Sequence, residues 1–234
     1  MVLRKEIDKR TIAEAMAELW EPLTDEQRQL LTDNIKIRSF CKNEVIFCEN
    51  EVPQFLMCII SGKVKIYVDG IGGRDQIIRL ISRKGFFGYR AAFAGENYCN
   101  SAAAFEPSVI CMIPINVTMR LIQENARLAI YFIKELSALL GAADKRTVSL
   151  TQKHIRGRLA ESLISLIDKY GVDEDGSTLN VNLSREDLAS MSNMTTSNAI
   201  RTLSSFAHEH LIVIDGRKIK VSEEKMLRDI SEMG

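Results

Sequence analysis

From Asn116 to about Leu150 the chain carries no proline, and apolar residues recur at Ala129, Phe132, Leu136, Leu139, Ala143 and Leu150 with spacings of three and four. That period predicts one long helix with a coiled-coil-like stripe. A second stripe through Ile122, Ile133 and Leu140 makes the apolar surface wider than a single seam requires. The helix is therefore expected to face both its own chain's core and a second copy, with Phe132, Leu136, Leu139, Ala143 and Leu150 as the dimer interface. Gly141-Ala142-Ala143 adds a small-residue patch where two backbones can approach closely. The pattern also suits an ordinary core helix; the length favours the seam.

Upstream of Pro114 the character is different. Short β-type runs (EVIFCEN, FLMCIISG, KVKIYVDG, DQIIRLISRKG and SAAAFEPSVICMIP) alternate with polar turns, and Gly62, Gly70, Gly72, Gly73, Gly85, Gly88 and Gly95 lie near their ends. Such regular spacing predicts a small all-β sandwich or barrel, with residues 5–33 as helices packed on it. A composition of 46% hydrophobic and 26% charged residues with four prolines excludes disorder and disulfide scaffolds. The five cysteines, Cys41, Cys48, Cys58, Cys99 and Cys111, form no CxxC pair and read as reduced thiols. No run of about twenty apolar residues is present and the N-terminus MVLRKEIDKR is polar, so the expectation is a cytoplasmic protein with no membrane partner.

Downstream, a helix over His154 to Tyr170 ends at Gly171 and the acidic loop DEDGS. Ser184-Arg185-Glu186-Asp187 is an S-x-x-D capping box that starts a short helix. Asn193 suits a sharp turn because asparagine tolerates the left-handed region. Thr195 then caps a second helix, TSNAIRTLSSF, whose inward side is Ala199, Leu203 and Phe206. This is the spacing of a helix-turn-helix. Its outward side begins with Thr196, Ser197 and Asn198 and continues to Arg201, without an acidic residue before Glu209. Arginine can pair with guanine, asparagine with adenine, and threonine or serine with a base edge or phosphate; the same side chains also suit a plain solvated face. The next segment tips the balance. LIVIDGRKIKV reads as two strands joined at Asp215-Gly216, a pair that favours a type I′ hairpin. Arg217, Lys218 and Lys220 place cations on that wing, where they can meet phosphates. The formal net charge of zero and the acidic stretch Ser222, Glu223, Glu224 mean that DNA affinity must come from this local patch. Arg185, Thr195, Thr196, Ser197, Asn198, Arg201, Arg217 and Lys218 are accordingly the candidate DNA-binding residues.

A glycine-punctuated barrel, a long helix and a winged helix-turn-helix, in that order and size, resemble the Crp-Fnr family of transcription regulators. The specific pieces are IISGKVKIY and ISRKGFFG in the barrel, IRGRLAESL from Ile155 to Leu163, and SREDLASMSNMTTSNAIRTL in the reader. The resemblance implies an α+β protein with an N-terminal double-stranded β-helix (jelly-roll, cyclic-nucleotide-binding-like) domain over 1–115, a dimerisation helix over 116–150 and a winged helix-turn-helix over 151–234. It further implies a homodimer on an inverted-repeat operator in double-stranded DNA, contact with RNA polymerase, and control by a signal sensed at the barrel.

Departures from the family pattern concern the sensor. Cyclic-nucleotide-binding members carry, after FxG, a glutamate for the ribose and about ten residues later an arginine for the phosphate; those places here hold Tyr89 and the stretch Cys99 to Ser101. The nearby cation is Arg90, so Gly88, Tyr89, Arg90, Asn100 and Ser101 are the candidate effector pocket. A phosphate without a matched cation is poorly held, which argues against cyclic AMP. The first cysteine, Cys41, lies too far along for the N-terminal iron-sulfur cluster of the family. All three histidines, His154, His208 and His210, lie beyond the barrel, which argues against haem and against any metal site. No cofactor is expected. The effector is expected to be an unidentified small molecule or a redox signal; a thiol sensor at Cys99 or Cys111 is open, buried packing being the default. In the reader the family often has an acidic residue at the position of Ser197, while Arg201 matches its arginine, which implies a changed operator preference. Two other readings use the same elements. A cupin-like barrel enzyme would need several barrel histidines, which are missing, and a winged-helix protein-interaction module would bind no DNA.

Overall fold

The computed structural model describes residues 9–70 and 75–234, with side chains from Ile12 onward. The expected helical start at residues 5–8 and the turn glycines Gly72 and Gly73 lie outside the described residues. The chain divides into two compact units, residues 1–69 with 78–140 and residues 70–77 with 141–234.

In the first unit, helices α1 (Lys9–Ala15), α2 (Ala17–Trp20) and α3 (Asp25–Asn34) precede strands β1 (Lys36–Phe40), β2 (Val45–Phe47), β3 (Phe55–Ser61), β4 (Val64–Val68), β5 (Gln76–Ile81, which begins in the segment grouped with the second unit) and β6 (Phe86–Phe87). Helix α4 (Arg90–Ala94), strands β7 (Ser101–Ala104) and β8 (Ser108–Pro114), helix α5 (Ile115–Glu124) and the first half of α6 (Ala126–Gln152) come next. The strands form two four-stranded sheets, β1-β8-β3-β6 and β2-β7-β4-β5, the expected sandwich. Strand β3 explains how the layers hold together. Its residues alternate between two cores: Met57 and Ile59 face the sandwich interior with Phe47, Ile66, Phe87, Ala102 and Ile110, whereas Leu56, Cys58 and Ile60 face the helices with Met16, Leu19, Leu31, Ile113 and Leu128. A strand buried on both faces reads as a continuous apolar run, and FLMCIIS is one. Gly62 closes the β3–β4 turn at φ +87°, where a Cβ would stand 2.3 Å from Ser108 Oγ and 2.5 Å from Pro107 O.

The long helix expected from Asn116 to Leu150 is two helices. Asn125 breaks it with φ −133° and ψ 100°. Its Oδ1 accepts from the amides of Arg127 (3.1 Å) and Leu128 (3.2 Å), which caps the start of α6, while its Nδ2 donates to Pro22 O and Gln27 Oε1. The expected seam also needs correction. Phe132 is 2% exposed and belongs to its own chain's core, with Tyr89 and Phe93 rings at 5.2 Å, and Leu136 packs against that core. Leu139 and Leu150 are half-buried and Ala143 is exposed. The large apolar side chains that α6 leaves in solvent are Ile130, Ile133, Leu140 and Val148.

The second unit continues from α6 into α7 (Ile155–Tyr170), α8 (Arg185–Met191), α9 (Thr196–His208), β9 (Ile212–Asp215), β10 (Lys218–Val221) and α10 (Glu224–Met233). Leu159, Leu163, Leu188, Leu203, Phe206 and Leu227 are each 1% exposed or less and fill its core. Glu223 and Glu224, which look in the sequence like an acidic stretch, lead into α10; Leu227 is buried, and Arg228 pairs with Asp168 of α7 at 2.6 Å.

Of the cysteines, Cys41, Cys48 and Cys99 are exposed, whereas Cys58 and Cys111 are buried opposite one another on β3 and β8. Burial pushes both thiols up, Cys111 to about 12 and Cys58 further with Cys111 adding to it. Cys111 is therefore a packing group and not a thiolate sensor. A chromogenic disulfide reagent at mildly alkaline pH is expected to label Cys41, Cys48 and Cys99 in the native protein and the other two only after unfolding; prompt labelling of all five contradicts the burial. Asn125→Ala, which removes the capping oxygen and both Nδ2 hydrogen bonds, lowers stability by about 1 to 2 kcal/mol in urea unfolding, and Asn125→Asp is also destabilised, because it keeps the capping oxygen but sets a second acceptor against Pro22 O and Gln27 Oε1.

Candidate nucleic-acid interface

Helix α8 begins where the sequence places it. Ser184 Oγ accepts from the Asp187 amide at 3.0 Å and the Asp187 carboxylate accepts from the Ser184 amide at 2.9 Å, a reciprocal box that satisfies donors at the helix start. Asn193 takes φ +48° between the helices. Thr195 Oγ1 accepts from the Asn198 amide at 3.2 Å and starts α9. Ala199, Thr202, Leu203 and Phe206 form the buried side of α9.

Two arginines of α7 hold this pair of helices. Arg158 donates from Nε to Ser192 O (3.0 Å), from Nη1 to Lys153 O (3.0 Å) and from Nη2 to Asn193 O (3.1 Å), so one guanidinium fixes the turn between α8 and α9. Arg156 stacks 4.7 Å from the Phe206 ring and donates to Ser205 Oγ and to the Glu209 carboxylate. The hydrogen bonds from Arg156 and Ser205 hold the Glu209 carboxyl below the usual range. Neither arginine stands out in the sequence by its charge, because both sit in an ordinary-looking helix start, IRGRL.

The outward side of α9 presents Ser197, Ile200, Arg201 and Ser204 in solvent, with Thr196 and Asn198 half-buried. Arg201 Nη2 donates to Asn198 Oδ1 at 2.5 Å, which aims the guanidinium along the helix face and leaves the Asn198 amide group as a donor. Thr195 is exposed, its hydroxyl oxygen engaged in the cap. Ile200, 46% exposed between Ser197 and Ser204, was missed by sequence reasoning. An apolar residue on the solvent side of an amphipathic helix was the available signal, and such a side chain suits contact with a thymine methyl group.

The wing forms as β9 and β10 paired antiparallel with Asp215 opposite Lys218. The turn therefore centres on Gly216 and Arg217, one residue later than the sequence suggests. Gly216 has φ +55° and Arg217 is not among the positive-φ residues, which is the type II′ pattern and not type I′. Arg185, expected to contact DNA, donates from Nη2 to Gly216 O at 2.9 Å and so ties the start of α8 to the wing tip. Arg217 and Lys218 are exposed. Lys220 lies 3.8 Å from Asp175, and Lys218 borders a groove of about 610 Å³ that Asp173, Glu174 and Asp175 also line. Hydrogen bonds from the Thr178 and Ser177 amides and the Thr178 hydroxyl hold the Asp175 carboxyl far below the ordinary range.

The five candidate effector residues divide. Gly88 turns the chain at φ +83° into α4. Tyr89 is 2% exposed and its ring packs among Phe93 and Phe132 on the helical side. Burial pushes its hydroxyl up to about 12, with Glu135 adding and Arg79 opposing. Arg90, Cys99 and Asn100 come together: Arg90 donates to the Cys99 sulfur at 3.1 Å and to Glu96 at 3.4 Å, and Asn100 approaches the same sulfur at 3.7 Å. Ser101 is buried, and its oxygen accepts from the Glu49 amide. Deeper in the sandwich, Tyr98 stacks on Phe47 with ring centroids 3.8 Å apart.

Comparison with known proteins agrees with this geometry. Residues 37–125 match the cyclic nucleotide-binding domain model and residues 157–230 the Crp-like helix-turn-helix domain model. The CRP-like cAMP-activated global transcriptional regulator of Mycobacterium tuberculosis is 23% identical over 84% of this chain and 88% of its own length. The anaerobic regulatory protein of Bacillus subtilis is 27% identical over 76% of each. Among solved structures, FixK2 of Bradyrhizobium japonicum shares the fold with a TM-score of 0.76 at 19% identity, over 84% of this chain and 96% of that one. The chain is a DNA-binding transcription regulator with a cyclic-nucleotide-binding-like sandwich and a winged helix-turn-helix, and it belongs to the Crp-Fnr family.

Proposed function

We propose that this regulator acts as a cytoplasmic homodimer that sets one α9 into each half of an inverted-repeat operator, engages RNA polymerase there, and answers to a ligand other than cyclic AMP. The observation that carries the reading is the outward face of α9, with Arg201 aligned by Asn198 and flanked by Ile200, beside an exposed wing. Arg201 is the chief base reader, Ile200 reads a thymine methyl, and Arg217 and Lys218 anchor phosphates. Arg185 serves by holding the wing. Support for the dimer comes from Ile130, Ile133 and Leu140, 52%, 62% and 65% exposed at heptad spacing along α6, a stripe that one copy leaves in water. None of the described helices is long and apolar enough to cross a membrane.

The mycobacterial relative is described as cAMP-activated. Against the same effector here stand Tyr89 turned into the helical core and a cysteine, Cys99, where a phosphate would need a cation. The reading takes no iron-sulfur cluster, haem or cupin-type metal as cofactor, on the positions of Cys41 and of the three histidines in the sequence. We read the chain as a regulator and not an enzyme.

Operator selection with the full chain is expected to enrich one sequence. On it, Arg201→Ala costs roughly 1 to 3 kcal/mol and relaxes preference at one base pair, whereas Lys218→Ala weakens all sequences alike and lowers the salt slope by about one. Selection that enriches nothing would sink the reading and favour a protein-interaction module. Ile133→Glu combined with Leu140→Glu is expected to give a monomer in sedimentation and to abolish tight operator binding; an unchanged dimer mass contradicts the α6 seam.

A further inference from the structure

The wing is a two-stranded ribbon of β9 and β10, and a hairpin standing alone in water is only marginally stable. Within the second unit the acidic loop that follows α7 backs it. The Leu179 amide donates to Ile219 O at 2.9 Å, the Val221 amide donates to Ser177 O at 2.9 Å, and Thr178 stands opposite Lys220 in an antiparallel bridge. Residues 177–179 thereby lie as a third strand along β10, the strand that carries Lys218. The same segment is the returning arm of a tight loop: Val172 bridges Leu179, the Asp173 amide donates to Thr178 O at 2.7 Å, and Gly176 turns at φ +70°. One side chain organises that loop. The Asp175 carboxylate accepts from the Ser177 amide (3.0 Å), the Thr178 amide (2.8 Å) and the Thr178 hydroxyl (2.7 Å), and an aspartate that bonds the main chain ahead of it in this way stands in for a backbone turn. The Lys220 ammonium lies 3.8 Å from the oxygen that takes the hydroxyl, so this wing cation faces Asp175, whereas Arg217 and Lys218 are exposed. At the tip of the ribbon Arg185 donates to Gly216 O. The wing is thus held from its tip and from its side.

We propose that Asp175 is a positioning residue for DNA binding: it builds the strand that backs β10 and so sets where Arg217 and Lys218 meet the phosphates, without touching DNA itself. The sign of its effect separates this role from plain electrostatics. Removing an acidic side chain beside a DNA-binding surface lessens the repulsion of phosphates and tightens binding. Loss of a carboxylate that holds the wing weakens it, because the phosphate anchors lose their fixed place. Base reading is independent of this support, since α9 is held by Arg158 and by the Thr195 cap. The inference rests on the reading of the wing as the phosphate anchor.

Binding of the full chain to its selected operator and to a scrambled duplex of equal length, over about 50 to 200 mM salt, tests it. Stoichiometric titration fixes the active fraction of each preparation, so that loss through misfolding is not counted. Asp175→Ala is expected to weaken binding to both duplexes by about tenfold at the lowest salt and to lower the salt slope by at least about one, as Arg217→Ala combined with Lys218→Ala does. Thr178→Val, which removes one of the three hydrogen bonds to the carboxylate, moves the slope in the same direction by less. Asp175→Asn, which keeps an acceptor for both amides, recovers most of the affinity and the slope. The preference at the base pair read by Arg201 stays at the wild-type ratio, and Asp175→Ala added to the Arg217→Ala, Lys218→Ala pair costs nothing further. Tighter binding or an unchanged slope in Asp175→Ala, an Asp175→Asn as weak as Asp175→Ala, an altered base preference, or additive losses overturn the proposal and leave the wing reading in place. A wild-type slope in the Arg217→Ala, Lys218→Ala pair overturns the wing reading and the proposal with it.

Discussion

Arg158 donates to three main-chain carbonyls at once, those of Lys153, Ser192 and Asn193. The presentation of the recognition helix depends on that guanidinium. Helices α8 and α9 bury only one face each, and their crossing is set by a turn in which a non-glycine residue, Asn193, sits at positive φ. Strain of that kind persists where the surroundings over-determine it. Arg158 does so by satisfying the Ser192 and Asn193 carbonyls of the turn, and the capping groups of Ser184 and Thr195 fix the two helix starts on either side. With the turn held, Ser197, Ile200, Arg201 and Ser204 are presented on one rigid face, which sequence-specific contact requires.

The sandwich obeys a different constraint. Strand β3 is buried on both faces, so its even and odd residues join two separate cores, and a change at one position is felt by the sheet and by the helices that cover it. Such a scaffold tolerates variation where polar side chains enter, around α4 and the approach to β7. Tyr89 packs toward the helices and Tyr98 fills the interior against Phe47. A single fold can in this way keep its architecture and change the side chains it presents.

Much of this was legible in the sequence because the relevant signals are local. The β runs, the S-x-x-D box at Ser184, the cap at Thr195 and the buried side of α9 follow from strand alternation, capping chemistry and helical period. What was misread involves choices between partners. Periodicity marks Phe132 and Ile133 alike as apolar and cannot say which is claimed by the chain's own core. The break at Asn125 was hidden because apolar residues continue on both sides, although the side chain that makes it is a good cap. Glu223 and Glu224 suggested an acidic stretch when they begin an amphipathic helix. Arg185 carries the charge of a DNA contact and makes a hydrogen bond to the wing.

The proposed function requires α9 of each copy to enter a major groove. Footprinting of the purified full chain on its selected operator measures this directly. Two protected major-groove half-sites are predicted, about 10 base pairs apart centre to centre or a multiple of that spacing. Protection of a single half-site, or protection confined to the minor groove, would contradict it.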